Sequence, residues 1–292
     1  MTDGLAIVDK PAGLTSHDVV GRMRRLAKTR RVGHAGTLDP MATGVLVLGV
    51  DKATRLLHHL VLAGKAYSAT IRLGQRTTTD DAEGELVAAV SATALSADQV
   101  RAAMAPFTGA IMQVPSSVSA IKIDGERAYK RVRAGETVAL PARPVTLTRF
   151  DALSIRARGE LVDVDVAVDC SSGTYIRALA RDLGDALGVG GHLTALRRTR
   201  VGPFTLDQAR TLEELAQLED PVTLPLAAAV RASMPVREVS IEEAVALSFG
   251  RSLDVRGIGG THAAVAVDGT VVALLHEVGG RAKPVLVFTP AG

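Results

Sequence analysis

Strand-like runs alternate with amphipathic helical segments along this chain, and that mixture constrains the fold more than any other feature. Residues 66–73 alternate apolar and polar side chains, as a half-buried strand does, and the run ends at Gly74. Residues 19–27 instead place apolar side chains at helical spacing, after Thr15 or Ser16, either of which can cap a helix. Because neither periodicity dominates, we predict an α+β fold.

The same mixture continues along the chain. We predict further strands at residues 5–8, 45–48, 145–155, 161–168 and 193–198, and three short strands within 262–288. We predict helices at 53–60, 96–105 and 174–187, a polar turn at 75–85, two short helices after Thr211 and one from Ser240. The pattern changes near Pro235, and a chain of 292 residues accommodates about two domains. We therefore predict a catalytic-size domain at residues 1–232 and a small β-rich domain at 236–292.

The single cysteine, Cys170, limits the chemistry that thiols can contribute. It excludes an intramolecular disulfide and argues against a cysteine-rich metal site. The N-terminal segment has no basic stretch followed by an apolar core, so it does not resemble a signal peptide. The longest apolar runs, such as 45–48, fall short of the ~20 residues that a membrane helix requires. We expect a soluble cytoplasmic protein with no membrane partner.

Basic residues are concentrated in the first two-thirds of the chain. Residues 1–210 contain 28 Lys and Arg against 21 Asp and Glu, whereas residues 211–292 contain 6 against 10. Residues 19–38 hold six basic side chains and no acidic one, and residues 119–149 hold seven against three. Such surfaces bind phosphate-rich partners, because neutralising phosphates releases counterions. A solvated helix face explains the charge equally well, so both interpretations stay open at this point.

Common phosphate, cofactor and metal motifs are absent from the sequence. The glycines at 44 and 49 are followed by Val50 and Asp51, where a phosphate-binding loop has Lys and then Ser or Thr. Residues 188–191 lack the spacing of a dinucleotide fingerprint, and neither His-Glu-x-x-His nor Gly-x-Ser-x-Gly occurs. The sequence therefore disfavours a metal enzyme and a phosphate-binding metabolic enzyme.

The glycine-rich loop 33–40 contains the most suggestive carboxylate. Asp39 is the only acidic residue between Asp18 and Asp51, and its basic neighbourhood favours the ionised form, which makes it a candidate nucleophile or base. The alternative is structural, since Asp followed by Pro is also a helix N-cap with proline at the first helical position. On the residue pattern alone, the cap is the better interpretation.

Four further side chains have a plain structural interpretation beside any functional one. His34, next to a glycine turn, is typical of a loop residue that hydrogen-bonds locally. Tyr67 and Tyr175 fit strand or core positions, but an aromatic ring beside a basic loop also stacks on an unpaired base, an interaction worth roughly 1–3 kcal/mol. Arg177 either covers a helix surface or pairs with a carboxylate through two hydrogen bonds.

Five segments, in chain order, resemble the TruB family of tRNA pseudouridine synthases. They are 8–16 (VDKPAGLTS), 33–44 (GHAGTLDPMATG), 65–74 (KAYSATIRLG), 170–177 (CSSGTYIR) and 192–198 (HLTALRR). The resemblance implies the α+β pseudouridine synthase fold, with a mixed, mainly antiparallel sheet and a central cleft, followed by a small C-terminal PUA-like domain. It also implies isomerisation of the T-loop uridine of tRNA, position 55, to pseudouridine, with no cofactor and no metal.

The resemblance also assigns roles to six residues of this chain. Asp39 matches the catalytic aspartate, and Arg177 matches the arginine that pairs with the catalytic carboxylate. Tyr67 matches the tyrosine that stacks on the target base and helps to move its proton, so Asp39, Tyr67 and Arg177 are the expected catalytic residues. Three more match positions that contact the flipped nucleotide or shape its pocket: His34, Tyr175 and Leu196. Whether Asp39 attacks the base or takes a proton from the ribose stays open.

The expected partner is tRNA, held by its T arm, with no obligate protein partner and a monomeric enzyme. Residues 115–145, rich in turn residues and basic side chains, resemble the insertion with which stand-alone members of the family clamp the T arm. Residues 236–292 are expected to contact tRNA as well, and a role in tRNA folding can accompany catalysis. The alternatives are a non-catalytic RNA-binding factor and a guide-RNA-dependent enzyme on the same scaffold.

Overall fold

The structure is a computed structural model that describes residues 2–116, 122–123, 126–127 and 140–291. The strands are β1 (Gly4–Lys10), β2 (Val32–His34), β3 (Thr43–Val50), β4 (Lys65–Leu73), β5 (Gln75–Thr77), β6 (Leu86–Ala89), β7 (Gly109–Gln113), β8 (Lys122–Ile123), β9 (Glu126–Arg127), β10 (Arg143–Arg158), β11 (Leu161–Cys170), β12 (Gly191–Val201), β13 (Phe204–Thr205), β14 (Leu224–Pro225), β15 (Val236–Val239), β16 (Leu253–Asp254), β17 (Thr261–Ala266), β18 (Val271–Val278) and β19 (Arg281–Val287).

Seven α-helices lie within the described residues, together with three short 3-10 segments. The helices are α1 (Ser16–Leu26), α2 (Leu57–Val61), α3 (Ala97–Met104), α4 (Ile176–Ala186), α5 (Leu212–Ala216), α6 (Leu226–Ser233) and α7 (Ile241–Ser248). The 3-10 segments are Asp51–Leu56, Ala105–Phe107 and Leu206–Gln208. Within the described part of the chain, none of these helices is long and apolar enough to cross a membrane.

A ten-stranded sheet forms the centre of the molecule, in the order β14-β1-β3-β12-β4-β11-β10-β7, with β2 and β13 at its margins. Its pairings are antiparallel except between β3 and β12, where Thr43 lies opposite Arg197 and Gly44 opposite Arg198. The expected mixed, mainly antiparallel sheet is therefore confirmed. The one parallel pairing places the ends of two distant motifs side by side.

Both faces of this sheet are covered at β1 and β3, so alternate residues of these strands enter different cores. In β1, Ala6 and Val8 belong to one apolar cluster, which includes helix α1, whereas Leu5 and Ile7 belong to the other. The second cluster continues through the 51–61 helical segment into the C-terminal sheet. Strands buried on both faces lose the simple alternation of a half-exposed strand.

The C-terminal part of the chain forms a second, five-stranded sheet in the order β15-β17-β18-β19-β16. This agrees with the β-rich C-terminal region predicted from the sequence. Strand β15 runs parallel to β17, and the other pairings in this sheet are antiparallel. Val265, Leu274 and Phe288 pack in the same apolar cluster as Leu5 and Ile7 of β1. The two sheets thus share a core, and the division into residues 1–232 and 236–292 stays a prediction.

Most elements predicted from periodicity are present. The alternating run is β4, and helix α1 begins where predicted, with Thr15 as its N-cap in a reciprocal pair of bonds with Asp18. Strand β2 in the glycine-rich loop was missed, and so was the hairpin β5–β6, whose strands flank the polar segment 78–85. Strands of three or four residues carry too little periodicity. The proposed clamp at 115–145 lies largely outside the described residues.

Candidate active site

An open cleft of about 380 Å³ lies at the point where the loop before β3, strands β4 and β12, and the start of helix α4 meet. Five of the six predicted site residues line it: Asp39, Tyr67, Tyr175, Arg177 and Leu196. The sixth, His34, lies in β2, with its ring centroid 5.8 Å from that of His17 and outside the lining of this cleft. The central cleft expected from the sequence is present.

Arg177 contacts both carboxylate oxygens of Asp39. Its Nε lies 3.0 Å from Oδ2, and its Nη2 donates to Oδ1 at 3.3 Å. The arginine side chain is 6% exposed, whereas 36% of the aspartate side chain is open to the cleft. A planar guanidinium bound in this two-pronged way fixes the orientation of the carboxylate and leaves it accessible to a ligand.

A second carboxylate holds Arg177 from the opposite side. Asp81, 2% exposed, lies with Oδ2 3.3 Å from Arg177 Nη1, and the same nitrogen donates to the Thr79 carbonyl at 2.9 Å. Asp81 in turn accepts hydrogen bonds from the Thr79 hydroxyl and from the Glu83 amide. Sequence reasoning missed Asp81, since it belongs to a polar loop whose docking on helix α4 depends on the tertiary fold. The adjacent acids at 80–81 were the available signal.

The surroundings of Asp39 act on its pKa in opposite directions. Burial is the largest influence and raises the pKa of the carboxyl; the Arg177 charge lowers it, the Asp81 charge raises it, and Lys10 lowers it. The net direction is upward. The expectation that a basic neighbourhood favours the ionised form is therefore correct for the arginine and lysine but is outweighed by burial.

The loop that carries Asp39 is held by the first motif of the chain. The Ser16 hydroxyl, 1% exposed, accepts a hydrogen bond from Leu38 N at 2.8 Å and donates to Leu38 O at 3.1 Å. Lys10 Nζ donates to the carbonyls of Leu14 and Pro40, and burial lowers its pKa to about 8. No helix begins at Pro40, so the interpretation of Asp39 as a helix cap is wrong.

The aromatic side of the cleft is built from strand β4 and the start of α4. Tyr67 is 9% exposed, and burial raises the pKa of its hydroxyl. Tyr175 is the N-cap residue of α4, where the buried Gln113 side chain accepts from its amide at 2.8 Å and donates to its carbonyl at 3.1 Å. Leu196, on β12, supplies an apolar wall. Sequence reasoning also missed Gln113, which lies outside the five motifs.

The part of the chain that the structure describes shows no cluster of metal-binding side chains. No group of three or more His, Cys, Asp or Glu side chains there is placed to hold a metal ion. The cleft presents one carboxylate, two phenols and a group of cationic side chains, Lys65, Arg177 and Arg198. Such a site can bind a polar ring and place a charged carboxylate beside it.

Three known protein families match most of the chain, between residues 24 and 289. Residues 24–176 match the TruB family pseudouridylate synthase N-terminal domain. Residues 177–230 match the tRNA pseudouridylate synthase B C-terminal domain, and residues 234–289 match the C-terminal part of tRNA pseudouridine synthase II. The chain belongs to the TruB family of tRNA pseudouridine synthases.

Relatives within the TruB family are similar over their whole length. The protein named tRNA pseudouridine synthase B from Arthrobacter sp. (strain FB24) is 64% identical, with 100% of this chain and 98% of that protein covered. The protein of the same name from Nocardia farcinica (strain IFM 10152) is 62% identical, with 99% of this chain and 94% of that protein covered. Their names support an enzyme rather than a non-catalytic binding factor.

Two solved structures share the fold over nearly the whole chain. A chain of the Cbf5–Nop10–Gar1 complex is 29% identical with a TM-score of 0.76, covering 99% of this chain and 86% of that one. A chain of an H/ACA RNP bound to a substrate RNA containing 2′-deoxyuridine is 28% identical with a TM-score of 0.74, covering 98% of this chain and 85% of that one. Both sheets described above lie within the matched length.

Proposed function

We propose that this chain isomerises the T-loop uridine of tRNA, position 55, to pseudouridine. The observation that carries the proposal is the pairing of Arg177 with Asp39 in a cleft that Tyr67 also lines. Membership of a tRNA pseudouridine synthase family supplies the reaction and the RNA class, and the motif match supplies the position. Asp39, Tyr67 and Arg177 are the proposed catalytic residues.

The isomerisation needs a site that holds the uracil while its bond to the sugar is exchanged. The N1–C1′ bond breaks, the base turns, and C5 forms a bond to C1′; the C5 proton leaves and N1 gains a proton, so the atoms balance without a co-reactant. Asp39 either adds to the base or removes a ribose proton. In both routes the carboxylate must be ionised, and Arg177 favours that form.

A uridine within a folded T arm is out of reach until it leaves the stack. Base flipping into a pocket solves this problem, and aromatic contact offsets part of the lost stacking energy. We assign the stacking contact to Tyr67, and assign Tyr175 and Leu196 to the walls of the nucleotide pocket. His34, in the neighbouring strand, is proposed to contact the nucleotide next to the cleft rather than to line the cleft itself.

The RNA backbone is proposed to bind a basic surface formed by the end of helix α1 and the residues after it. Five side chains of helix α1 and the residues after it are exposed: Arg24, Arg25, Lys28, Arg30 and Arg31. Cationic side chains spread along one surface attract phosphates with little sequence preference. Residues 115–145 are the proposed T-arm clamp and 236–292 a second RNA-contacting domain. The enzyme is proposed to act in the cytoplasm as a monomer without a protein partner.

Tritium release tests the proposal directly. Purified protein is incubated, with no added RNA guide, protein or cofactor, with an unmodified tRNA transcript labelled with tritium at uracil C5. Release approaching one equivalent per tRNA, lost when the T-loop uridine is replaced by cytidine, supports both reaction and site. Release only after addition of a guide RNA or a protein partner would favour the guide-dependent alternative, and tRNA binding without any release would favour a binding factor.

A further inference from the structure

A second arginine, Arg198, lies in the wall of the cleft and joins the two sides of the proposed site. It is 1% exposed, among the largest fully buried side chains of the described residues. Its guanidinium donates three hydrogen bonds to backbone carbonyls: Nε to Val45 O at 2.7 Å, Nη1 to Thr37 O at 3.3 Å and Nη2 to Gly36 O at 3.1 Å. Two of the three acceptors belong to the loop that ends in Asp39.

The other side of the site is Tyr67, which lies opposite Arg198 in the antiparallel pairing of β4 with β12. Side chains of directly opposed residues lie on the same face of a sheet. The Arg198 guanidinium acts on the Tyr67 hydroxyl by charge and by hydrogen bonding, and both lower the pKa of the phenol against the rise that burial causes. Arg198 thus acts on both the Asp39 loop and Tyr67.

Two glycines make this arrangement possible. Gly44, at φ +98°, lies opposite Arg198 in the parallel pairing, and a Cβ there would meet the Arg198 carbonyl oxygen at 2.2 Å. Gly36, at φ +97°, turns the loop so that its carbonyl faces the guanidinium. The motif that contains Asp39 therefore also contains the backbone that receives Arg198.

We propose that Arg198 is a positioning residue, which holds the Asp39 loop and the Tyr67 phenol in one fixed relation across the flipped uracil. The inference rests on the proposed function and adds to it a residue that acts through the Asp39 loop and Tyr67 rather than on the reacting atoms. Arg177 orients the carboxylate itself, whereas Arg198 sets where the loop lies relative to the strand that carries Tyr67. Without Arg198, Asp39 and Tyr67 each keep their other contacts, but their positions relative to each other are no longer fixed.

Substitution of Arg198 tests the turnover part of the inference. A misplacement of about 1 Å can reduce turnover by about 100-fold, so Arg198→Met is expected to lower kcat by about that factor while the Kd for tRNA changes less than threefold. Arg198→Lys keeps the charge but cannot donate to the three carbonyls in the same planar arrangement. Its kcat is expected to lie between those of the wild type and Arg198→Met. The matched control is Arg200→Met, on the same strand, which removes an arginine paired with Asp169. Equal losses in Arg198→Met and Arg200→Met would overturn the inference.

A spectroscopic measurement separates positioning from a merely structural role. The chain has three tyrosines and no tryptophan, so tyrosinate formation is visible in ultraviolet difference titrations, and Tyr67→Phe identifies the signal of Tyr67. In Arg198→Met the Tyr67 titration is expected to move to higher pH, because the neighbouring cation is gone; in Arg200→Met it is expected to stay in place. An unmoved Tyr67 titration in Arg198→Met would overturn the inference.

The proposed function and the role of Arg198 are contradicted by different results. Absence of tritium release by the wild-type enzyme would reject the proposed function, whereas normal release by both Arg198 variants would reject only the role of Arg198. Where Arg198→Met does not fold, Arg198→Lys decides, since it retains a cation in the same space. A folded Arg198→Lys protein with wild-type kcat would show that the fork to the loop carbonyls is dispensable.

Discussion

Arg177 lies between two carboxylates, with its Nε 3.0 Å from Asp39 and its Nη1 3.3 Å from Asp81. The two acids are unequal, because the Asp81 side chain is 3% exposed and the Asp39 side chain 36% exposed. Asp81 therefore anchors the guanidinium from the buried side, and the guanidinium presents Asp39 to the cleft. Removing any one of the three is expected to affect the other two.

Replacing Arg177 is expected to change both the rate and its pH dependence. In Arg177→Met the charge that lowers the pKa of Asp39 is lost, so that pKa rises and the acid limb of the kcat profile moves to higher pH. Arg177→Lys keeps a cation but not the planar fork, and kcat is expected to fall by about 100-fold or more in both variants. Single-turnover tritium release across pH measures this. An unchanged acid limb in Arg177→Met would contradict the pairing.

Asp81→Asn is expected to move the acid limb the other way. The Asp81 charge raises the pKa of Asp39, so its removal lowers that pKa and extends activity to lower pH. Because Arg177 loses its anchor, kcat at the plateau is expected to fall roughly tenfold. Asp80→Asn is the matched control, since Asp80 pairs instead with Arg181 at 3.4 Å. Identical pH profiles of kcat for Asp81→Asn and Asp80→Asn would mean that the total charge of the loop matters and the contact between Asp81 and Arg177 does not.

The Ser16 hydroxyl is expected to matter for turnover and not only for stability. Ser16→Ala leaves the amide and carbonyl of Leu38 without their partner, at a cost of roughly 1–3 kcal/mol in the free energy of unfolding. Because Leu38 adjoins Asp39, kcat is expected to fall as well. Thr15→Ala removes the neighbouring helix cap, costs about 1 kcal/mol and leaves that loop bonded. Denaturant unfolding measures the stability of both variants, and tritium release measures their turnover. Equal kcat values for Ser16→Ala and Thr15→Ala would contradict a role of the Ser16 hydroxyl in turnover.

Binding of tRNA is expected to depend steeply on salt through the exposed arginines near helix α1. Each phosphate contact adds about 0.7–0.9 to the slope of log K against log salt. Arg25→Ala and Arg30→Ala are each expected to weaken tRNA binding and to reduce that slope by about one contact. Arg101→Ala, which removes an exposed arginine already paired with Asp98 at 3.2 Å, serves as the control. A slope that is unchanged in Arg25→Ala and Arg30→Ala would place the RNA elsewhere.

Local features of the fold were predictable because they depend on neighbours in sequence. The alternation of β4 and the capping of α1 by Thr15 involve side chains within a few residues of one another. The parallel contact between Gly44 and Arg198 was not predictable in this way, since 154 positions separate the two residues. The local sequence of a strand does not specify which other strand it pairs with. Strand β2 was too short to show a period.

The residues of the candidate site also differ in how far the sequence predicts them. From its own loop, Asp39 was better explained as a helix cap, and only the resemblance of five ordered motifs connected it to Arg177, 138 residues away. Asp81, Gln113 and Arg198 act through buried bonds to the backbone or to another side chain, and such contacts exist only after the chain has folded. Their sequence signals were ordinary polar residues.

Single-turnover tritium release by Asp39→Asn, measured beside tRNA binding on the same preparation, shows whether the Asp39 carboxylate is required for the isomerisation. The amide keeps the size of the carboxylate but carries no charge and is a poor nucleophile and base. We expect no detectable release, with a Kd for tRNA within about threefold of wild type, because binding is spread over many phosphates. Release at a rate near that of the wild type would contradict the assignment of Asp39, and with it the mechanism built around this cleft.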